Sequence, residues 1–485
     1  MQKVWSISGR SIAVSALALA LTACQSMRGP EPVAQANIPE QGYLTASSGP
    51  SIAEQGYKDF FADQRLLQVL DLALANNRDL RTSTLNIQRA QQQYQITQNN
   101  QLPTIGASGS VLRQDTLNTG AMTSYNVGLG VTAYELDFWG RVRSLKDNAL
   151  DTYLATSSAR DATQIALVGQ VAQAWLNYSF ANANLRLADQ TLKAQLESYN
   201  LNKKRFDVGI DSELPVRQAQ ISVETARNDV ANYKTQIAQA QNLLNLLVGQ
   251  AVPANLLPTQ RVTRITTNNA LTAGLPSDLL TNRPDVRAAE YQLSAAGANI
   301  AAAKARLFPT ISLTGNAGYA STSLSDLFKS GGFVWSIGPS IDLPIFDWGT
   351  RQANIKISET DQQIALSDYE KSIQSAFREV NDALAVRQNI GDRLAAQRRL
   401  VDATNTTYRL SNARFRAGID SYLTVLDAQR ASYAAEQGLL LLEQANMNNQ
   451  VEVYKTLGGG IKANTSDAVL QPASTAEQKA ANSAQ

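Results

Sequence analysis

Two stretches of the chain alternate apolar and polar residues with a period of two. In the first, Tyr125, Val127, Leu129, Val131 and Ala133 are separated by Asn126, Gly128, Gly130 and Thr132. In the second, Phe333, Trp335, Ile337, Pro339, Ile341 and Leu343 are separated by Val334, Ser336, Gly338, Ser340 and Asp342. Alternation over about ten residues predicts a strand with one apolar face, as in membrane barrels. Each stretch has a preceding partner, 104–113 and 309–321, the second with Ile311, Leu313, Ala317 and Tyr319 on one face. Polar loops near 114–121 and 322–331 complete two hairpins. A half-buried hairpin in a soluble sheet would show the same alternation; four such strands flanked by proline and aromatic residues favour the barrel.

The remaining pattern is helical. Stretches 68–101 and 277–307 are rich in Ala, Gln, Leu and Arg and stop at Pro103 and Pro309, where proline lacks the N–H and clashes with the preceding turn. Segments 143–206 and 351–415 hold no proline and little glycine. As single helices of about 64 residues they would each be roughly 95 Å long. In the second, Leu366, Ile373 and Val380 recur every seven residues with Tyr369, Ala376 and Ala383 between them, the spacing of a coiled coil. Gly209 and Gly418 suit the left-handed residue that closes a helix, and Asp211-Ser212 and Asp420-Ser421 offer caps for the next. Returning helices then run over 213–249 and 422–457. The pattern predicts two antiparallel pairs of long helices, each with a tight tip.

The hairpin-and-helix unit is written twice. Tyr199–Gln220 aligns without gaps on Tyr408–Gln429, identical at 12 of 22 positions and offset by 209. Trp139-Gly140 matches Trp348-Gly349 at the same offset, while Asn76, Asp79, Arg81 and Pro103-Thr104-Ile105 match Asn282, Asp285, Arg287 and Pro309-Thr310-Ile311 at 206. The difference of three falls within the hairpins, where a loop absorbs it.

The first residues read differently. Lys3 and Arg10 precede an apolar run from Ile12 to Leu21 that ends in Leu21-Thr22-Ala23-Cys24. The run is about half the roughly 20 residues needed to span a bilayer, which predicts a cleaved leader. Leu-Thr-Ala-Cys resembles a bacterial lipobox, in which Cys24 is acylated and becomes the mature N-terminus; the other reading is a free thiol inside a leader. Several acyl chains would hold the chain firmly to a membrane at about 0.8 kcal/mol per buried methylene. The resulting organisation is a signal peptide 1–23, an extended tether 24–57 containing four prolines, a first repeat 58–249 with its hairpin at 103–138, and a connector 250–276. A second repeat 277–460 follows with its hairpin at 308–345, then a disordered tail 461–485.

Composition changes the functional picture mainly by exclusion. The 485 residues carry a net charge of +2, no histidine and one cysteine. Near-neutral charge gives no support for a nucleic-acid partner. Without histidine there is no Ser-His-Asp or Cys-His site and no histidine-ligated metal, and a single cysteine cannot form an internal disulfide. No carboxylates form a recognisable acid/base pair, so no enzyme is expected, nor any cofactor beyond the acyl and diacylglycerol groups on Cys24. Gly128-Leu-Gly130 reads as strand glycine, not a nucleotide loop.

Four strands cannot close a barrel, because both edges would stay unpaired in lipid. The chain is therefore expected to oligomerise; two copies give eight strands and a plugged interior, three give twelve and room for a passage. The signal peptide, the duplicated long-helix hairpins, the two β-hairpins and the segment Arg414-Phe415, Gly418-Ile419, Leu423, Val425-Leu426-Asp427-Ala428-Gln429 together resemble the TolC/OprM family of outer-membrane efflux proteins. The resemblance covers nearly all of 58–460 and is nearest to the lipoprotein branch that serves resistance–nodulation–division (RND) pumps. It implies a mixed fold of helix and transmembrane β. A homotrimer would form a 12-stranded β-barrel continued by a 12-helix periplasmic α-barrel. The partners implied are a periplasmic adaptor, an inner-membrane RND pump and outer-membrane lipid. The family's sorting habit, with Gln25 after the cysteine, implies a lipid-anchored outer-membrane location. The implied function is a passive exit duct of a multidrug pump, gated at its periplasmic end.

By the same resemblance, Leu423 and Asp427 narrow the closed pore and Arg430 joins the polar network around it. The three follow i, i+4, i+7 and share a helix face; a solvated i,i+3 ion pair between Asp427 and Arg430 is the plainer alternative. Gln218 stands where the first repeat would have the aspartate, so the constriction is expected to differ between repeats. The tips Val208-Gly209-Ile210 and Ala417-Gly418-Ile419 resemble adaptor-contact loops, and also suit simple helix termination. A type I protein-secretion channel or a heavy-metal efflux channel would share the fold, and a coiled-coil scaffold lipoprotein would lack the alternating hairpins.

Overall fold

The computed structural model describes residues 27, 29, 32–35, 55–116, 120–267 and 282–460. The expected leader, Cys24, most of the tether, the last part of the connector and the 461–485 tail lie outside them. In chain order the elements are α1 (Tyr57–Phe60), α2 (Gln64–Asn76), α3 (Arg78–Asn99), β1 (Ile105–Thr116), β2 (Gly120–Glu135), α4 (Arg141–Asp207), α5 (Glu213–Val248), α6 (Pro284–Ala305), β3 (Thr310–Ser321), β4 (Phe333–Asp342), α7 (Thr350–Arg416) and α8 (Tyr422–Thr456). One compact unit contains the residues up to Ala36 with Leu85–Ser158 and Arg287–Ser372; the other contains Asn37–Thr84, Ala159–Val286 and Ile373 onward.

The first unit holds one antiparallel sheet in the order β1-β2-β3-β4. Its ladders set Ile105 opposite Val131, Val127 opposite Tyr319, and Tyr319 opposite Phe333. One face therefore carries Val111, Tyr125, Val127, Leu129, Tyr319, Phe333, Trp335 and Ile337. The opposite face is mostly small and polar, Leu112, Met122 and Val334 apart, with Ser312 and Ser340 hydroxyls 2.9 Å apart and Ser336 donating to Asn316. Strands β1 and β2 reach further into the turn than the apolar alternation suggests, because Gln114, Asp115 and Thr123 continue the backbone ladder. One expectation is corrected here. Ala133 does not continue the apolar series: it adopts φ +50° in a bulge between Val131 and Tyr134, which places Tyr134 opposite Leu313. The extra bulge residue shifts the side-chain parity by one.

Each long helix, α4 and α7, has 67 residues, about 100 Å at 1.5 Å per residue. In α7, Ile373, Ala376, Val380 and Ala383 are all buried. Among the described residues no helix is long and apolar enough to cross a membrane. The expected single helix over 68–101 is instead two, α2 and α3, broken at Asn77. Its side-chain oxygen accepts from the Leu80 N–H at 2.8 Å while its amide donates to the Leu247 carbonyl at 2.8 Å. A residue that caps one helix and ties down another cannot also sit inside a continuous turn. The helix expected to begin at 277 is described from Pro284, a residue suited to the first helical position.

The core of the second unit includes an aromatic cluster. Phe60 stacks on Tyr454 with centroids 4.4 Å apart, and Phe61 meets both rings. Beside them the described part of the connector runs along α4, where the Trp175 indole donates to Leu256 O at 3.0 Å. Gly249 and Gly458 close α5 and α8 with φ of +78° and +98°, and a Cβ on either would press on the backbone of Asn76 or Asn282.

Candidate functional site

The two tips are built alike. Gly209 (φ +77°) follows α4, its N–H bonding Phe206 O at 2.8 Å while Ile210 N–H bonds Arg205 O at 2.8 Å. Gly418 (φ +75°) follows α7 with the same pair of bonds to Phe415 O and Arg414 O, 2.9 and 3.0 Å long. These crossed bonds satisfy carbonyls that a helix end leaves unpaired, and the left-handed residue they require explains the glycine. Both glycines have open space where a Cβ would stand, so backbone conformation selects them. Val208, Ile210 and Ile419 are left exposed, and Ala417 with them.

The expected side-chain caps are not formed. Ser212 and Ser421 occupy the N-cap positions without a side-chain cap bond. Asp211 instead grips Arg205, and Asp420 grips Arg414 at 2.6 and 2.9 Å. A charged fork competes better for the carboxylate than a backbone N–H does. The Arg414 bonds hold the Asp420 carboxyl below its ordinary range, and Arg414 is raised in turn. A lowered carboxyl stabilises the folded tip above its ordinary titration range, and that contribution fades as pH falls through the folded value. Exchange protection of the Gly418 and Ile419 N–H groups is thus expected to decline only below about pH 3.9, the ordinary aspartate value. Measured amide exchange that loosens already near neutrality would show that this pair does not hold the tip.

Above the tips, Phe415, Tyr422, Val425, Leu426 and Ala219 form a buried cluster with Tyr199 and Tyr408 packed against it. Arg205 lies over the Phe415 ring at 5.3 Å. Burial pushes the Tyr422 hydroxyl up to about 12. Because this cluster takes one side of α8, Leu423, Asp427 and Arg430 share the exposed side. No ion pair joins Asp427 and Arg430; the ion pairs flanking them are Arg414–Asp420 and Lys455–Glu452. In the first repeat the same helix side presents Leu214 and Ile221 exposed, with Gln218 half-buried between them.

Sequence reasoning missed a set of cross-ties. Tyr433 donates to Asp229 and Gln437 to the Tyr233 hydroxyl, both at 3.0 Å, forming two rungs between α5 and α8. Burial first, and then Asp229, raise the Tyr433 hydroxyl well above its usual value. The readable signal was a matched i, i+4 spacing on both helices. Nearby, Gln195 and Gln429 each bury an amide oxygen without a protein donor beside a cavity of about 70 Å³, a polar space suited to water.

Comparison with known proteins gives this geometry its context. The sequence matches the family described as "Outer membrane efflux protein" over residues 69–250 and again over 275–459. It is 43% identical over 439 residues to the probable efflux pump outer membrane protein TtgC of Pseudomonas putida, covering 88% of this chain and 90% of that protein. It is 38% identical over 457 residues to the cation efflux system protein CusC of Escherichia coli, covering 92% and 98%. Among solved structures, the open state of the Neisseria gonorrhoeae MtrE outer membrane channel matches with a TM-score of 0.83 at 38% identity, over 90% of this chain and 98% of that one. The chain belongs to the outer membrane efflux protein family.

Proposed function

We propose that the chain is the outer-membrane duct of a tripartite RND multidrug efflux pump, a passive conduit fed by an inner-membrane pump through a periplasmic adaptor. The observation that carries this reading is the four-stranded sheet, apolar on one face and unpaired at both edges, in a chain that also has two 67-residue helices. A sheet of that kind is stable in lipid only if closed. Three copies closing it give a 12-stranded barrel, continued by a 12-helix α-barrel across the periplasm. Cys24 carries the lipid that holds the N-terminus to the outer membrane. No catalysis is assigned to the chain.

Leu423, Asp427 and Arg430 form the gate in this reading, lining the pore near the helix tips from the exposed side of α8. The tips, Val208-Gly209-Ile210 and Ala417-Gly418-Ile419, are the adaptor contact. Exposed apolar groups on two rigid turns suit an apolar groove on the partner. Changing Ile210 and Ile419 to aspartate is expected to leave the channel assembled and conducting while its adaptor no longer co-purifies with it. Retained adaptor binding would place that contact elsewhere.

The test of the function is planar-bilayer conductance of the detergent-extracted protein with its mass measured in the same preparation. A trimer with small, cation-sensitive currents supports the duct. A monomer without conductance overturns it and favours a periplasmic scaffold.

A further inference from the structure

Within the chain, the two hairpins are joined by a latch. Trp139 stacks on Phe308 with centroids 4.8 Å apart and 21° between the planes. Its indole N–H donates to the Pro309 carbonyl at 2.8 Å, and the Leu136 N–H donates to Ile311 O at 2.8 Å. The repeat contains the parts of this latch a second time, with a leucine in place of the stacking phenylalanine. Trp348 corresponds to Trp139, and Leu102-Pro103 correspond to Phe308-Pro309. The second set is not assembled. Trp348 is 99% exposed, Phe346 86% and Leu102 66%. Trp348 also adopts φ +55°, an uncommon conformation for a bulky residue that persists only where surroundings impose it.

We propose that Trp348 of one copy latches onto Leu102 and Pro103 of the next, joining β4 to the next copy's β1 in the register of the β2–β3 seam. This rests on the trimeric-duct reading and specifies the contact that closes it. The ladders fix the register. Because Ile105 faces Val131 and Ile311 faces Ile341, β1 maps on β3 at an offset of 206, and β2 above its bulge maps on β4 at 210. The observed pair Gly130–Asn316 then becomes Ser340 opposite Ser110 of the next copy, and Val131–Gly315 becomes Ile341 opposite Gly109. Gly128–Gly318 becomes Gly338 opposite Leu112. The last pairing is sterically matched. Leu112 is the one large aliphatic side chain on the polar face of β1, and a Cβ at Gly338 would meet nothing within 4 Å in its own chain. A second copy is the occupant because only a strand edge satisfies the unpaired backbone of β1 and β4, and the 10 residues of β4 can pair along most of the 12 of β1.

Cys24 is the only cysteine, so register can be read by cross-linking the full chain in a Cys24→Ser background. The Ser110→Cys, Ser340→Cys pair is oxidised and run denatured, beside an off-register Ser108→Cys, Ser340→Cys pair. Covalent oligomer from the first pair and little from the second is the expected result. A trimer by mass in which the second pair cross-links instead, or neither does, overturns the register while leaving the duct intact. A monomer by mass overturns both. The latch itself is read from Trp348→Ala, which is expected to lower the temperature at which the trimer dissociates in detergent, with Trp348→Phe falling between it and the parent. An unchanged dissociation temperature in Trp348→Ala overturns the latch and leaves Trp348 as a lipid-headgroup tryptophan.

Discussion

Replacing Asp427 and Arg430 together by alanine is expected to turn small, gated currents into a several-fold larger, steady conductance. Both residues project from the exposed side of α8, whose other side is fixed by Tyr422, Val425 and Leu426. The backbone should therefore hold while the proposed aperture loses its two charged side chains. In the proposed trimer, three Asp427 carboxylates surround one axis. Two unit charges about 7 Å apart repel by about 0.6 kcal/mol in water and about 2.4 at an effective dielectric of 20. Three such pairs keep the closed state close to opening unless cations or the Arg430 side chains offset them. The single variants should consequently differ. Arg430→Ala leaves the carboxylates uncompensated and should conduct more than Asp427→Ala. Divalent cations should still block Arg430→Ala and lose their effect on Asp427→Ala. Planar-bilayer recordings across the three variants decide the matter, and parental conductance in the double variant would remove these residues from the gate.

What the sequence made legible was whatever repeats along the chain. The period-two runs around Leu129 and Ile337 and the proline-free tracts after Trp139 and Trp348 each offer dozens of residues that agree with one another, so local errors average out. What escaped were features set by one distant partner. Asn77 reads as an ordinary polar residue within a helix, and only the Leu247 carbonyl, 170 residues away in sequence, explains the break there. Asp211 and Asp420 sit in cap-like contexts, yet Arg205 and Arg414 six residues earlier take their carboxylates. The Tyr433–Asp229 rung depends on how α5 lies along α8, which neither helix encodes alone. The two tryptophans make the point most sharply. Trp139 and Trp348 occupy equivalent places in the repeat, but one is stacked and hydrogen-bonded while the other is bare. The candidate gate lies between these cases. Its shared helix face followed from spacing, whereas the lack of an Asp427–Arg430 pair needed side-chain positions.

Gly318→Val is expected to abolish the heat-stable oligomer that the proposed closed trimer should form, because the seam between the hairpins has no room for a side chain. A Cβ at Gly318 would press against the Val127 carbonyl oxygen and lie 2.5 Å from Gly128 Cα. On the facing strand, a Cβ at Gly128 would come 2.8 Å from Ala317 O. These obstacles are backbone atoms, which cannot rotate aside as a side-chain end can, so β2 and β3 must separate. The cost should reach or exceed the roughly 1–3 kcal/mol of an overpacked core. Among the described residues it falls on the one ladder that joins the two hairpins, since the β1–β2 and β3–β4 ladders lie within a single hairpin each. The variant should therefore keep its helical content and lose assembly, which a matched Gly315→Val control on the same strand should retain. A Cβ at Gly315 meets only Ser336 O at 3.6 Å and Ile337 Cγ1 at 3.9 Å, ordinary contact distances, and points to the apolar face. Detergent-gel migration with and without heating reads the difference. Full assembly of Gly318→Val would mean that the seam can spread at little cost, and that the β2–β3 register is not what fixes the spacing of the hairpins.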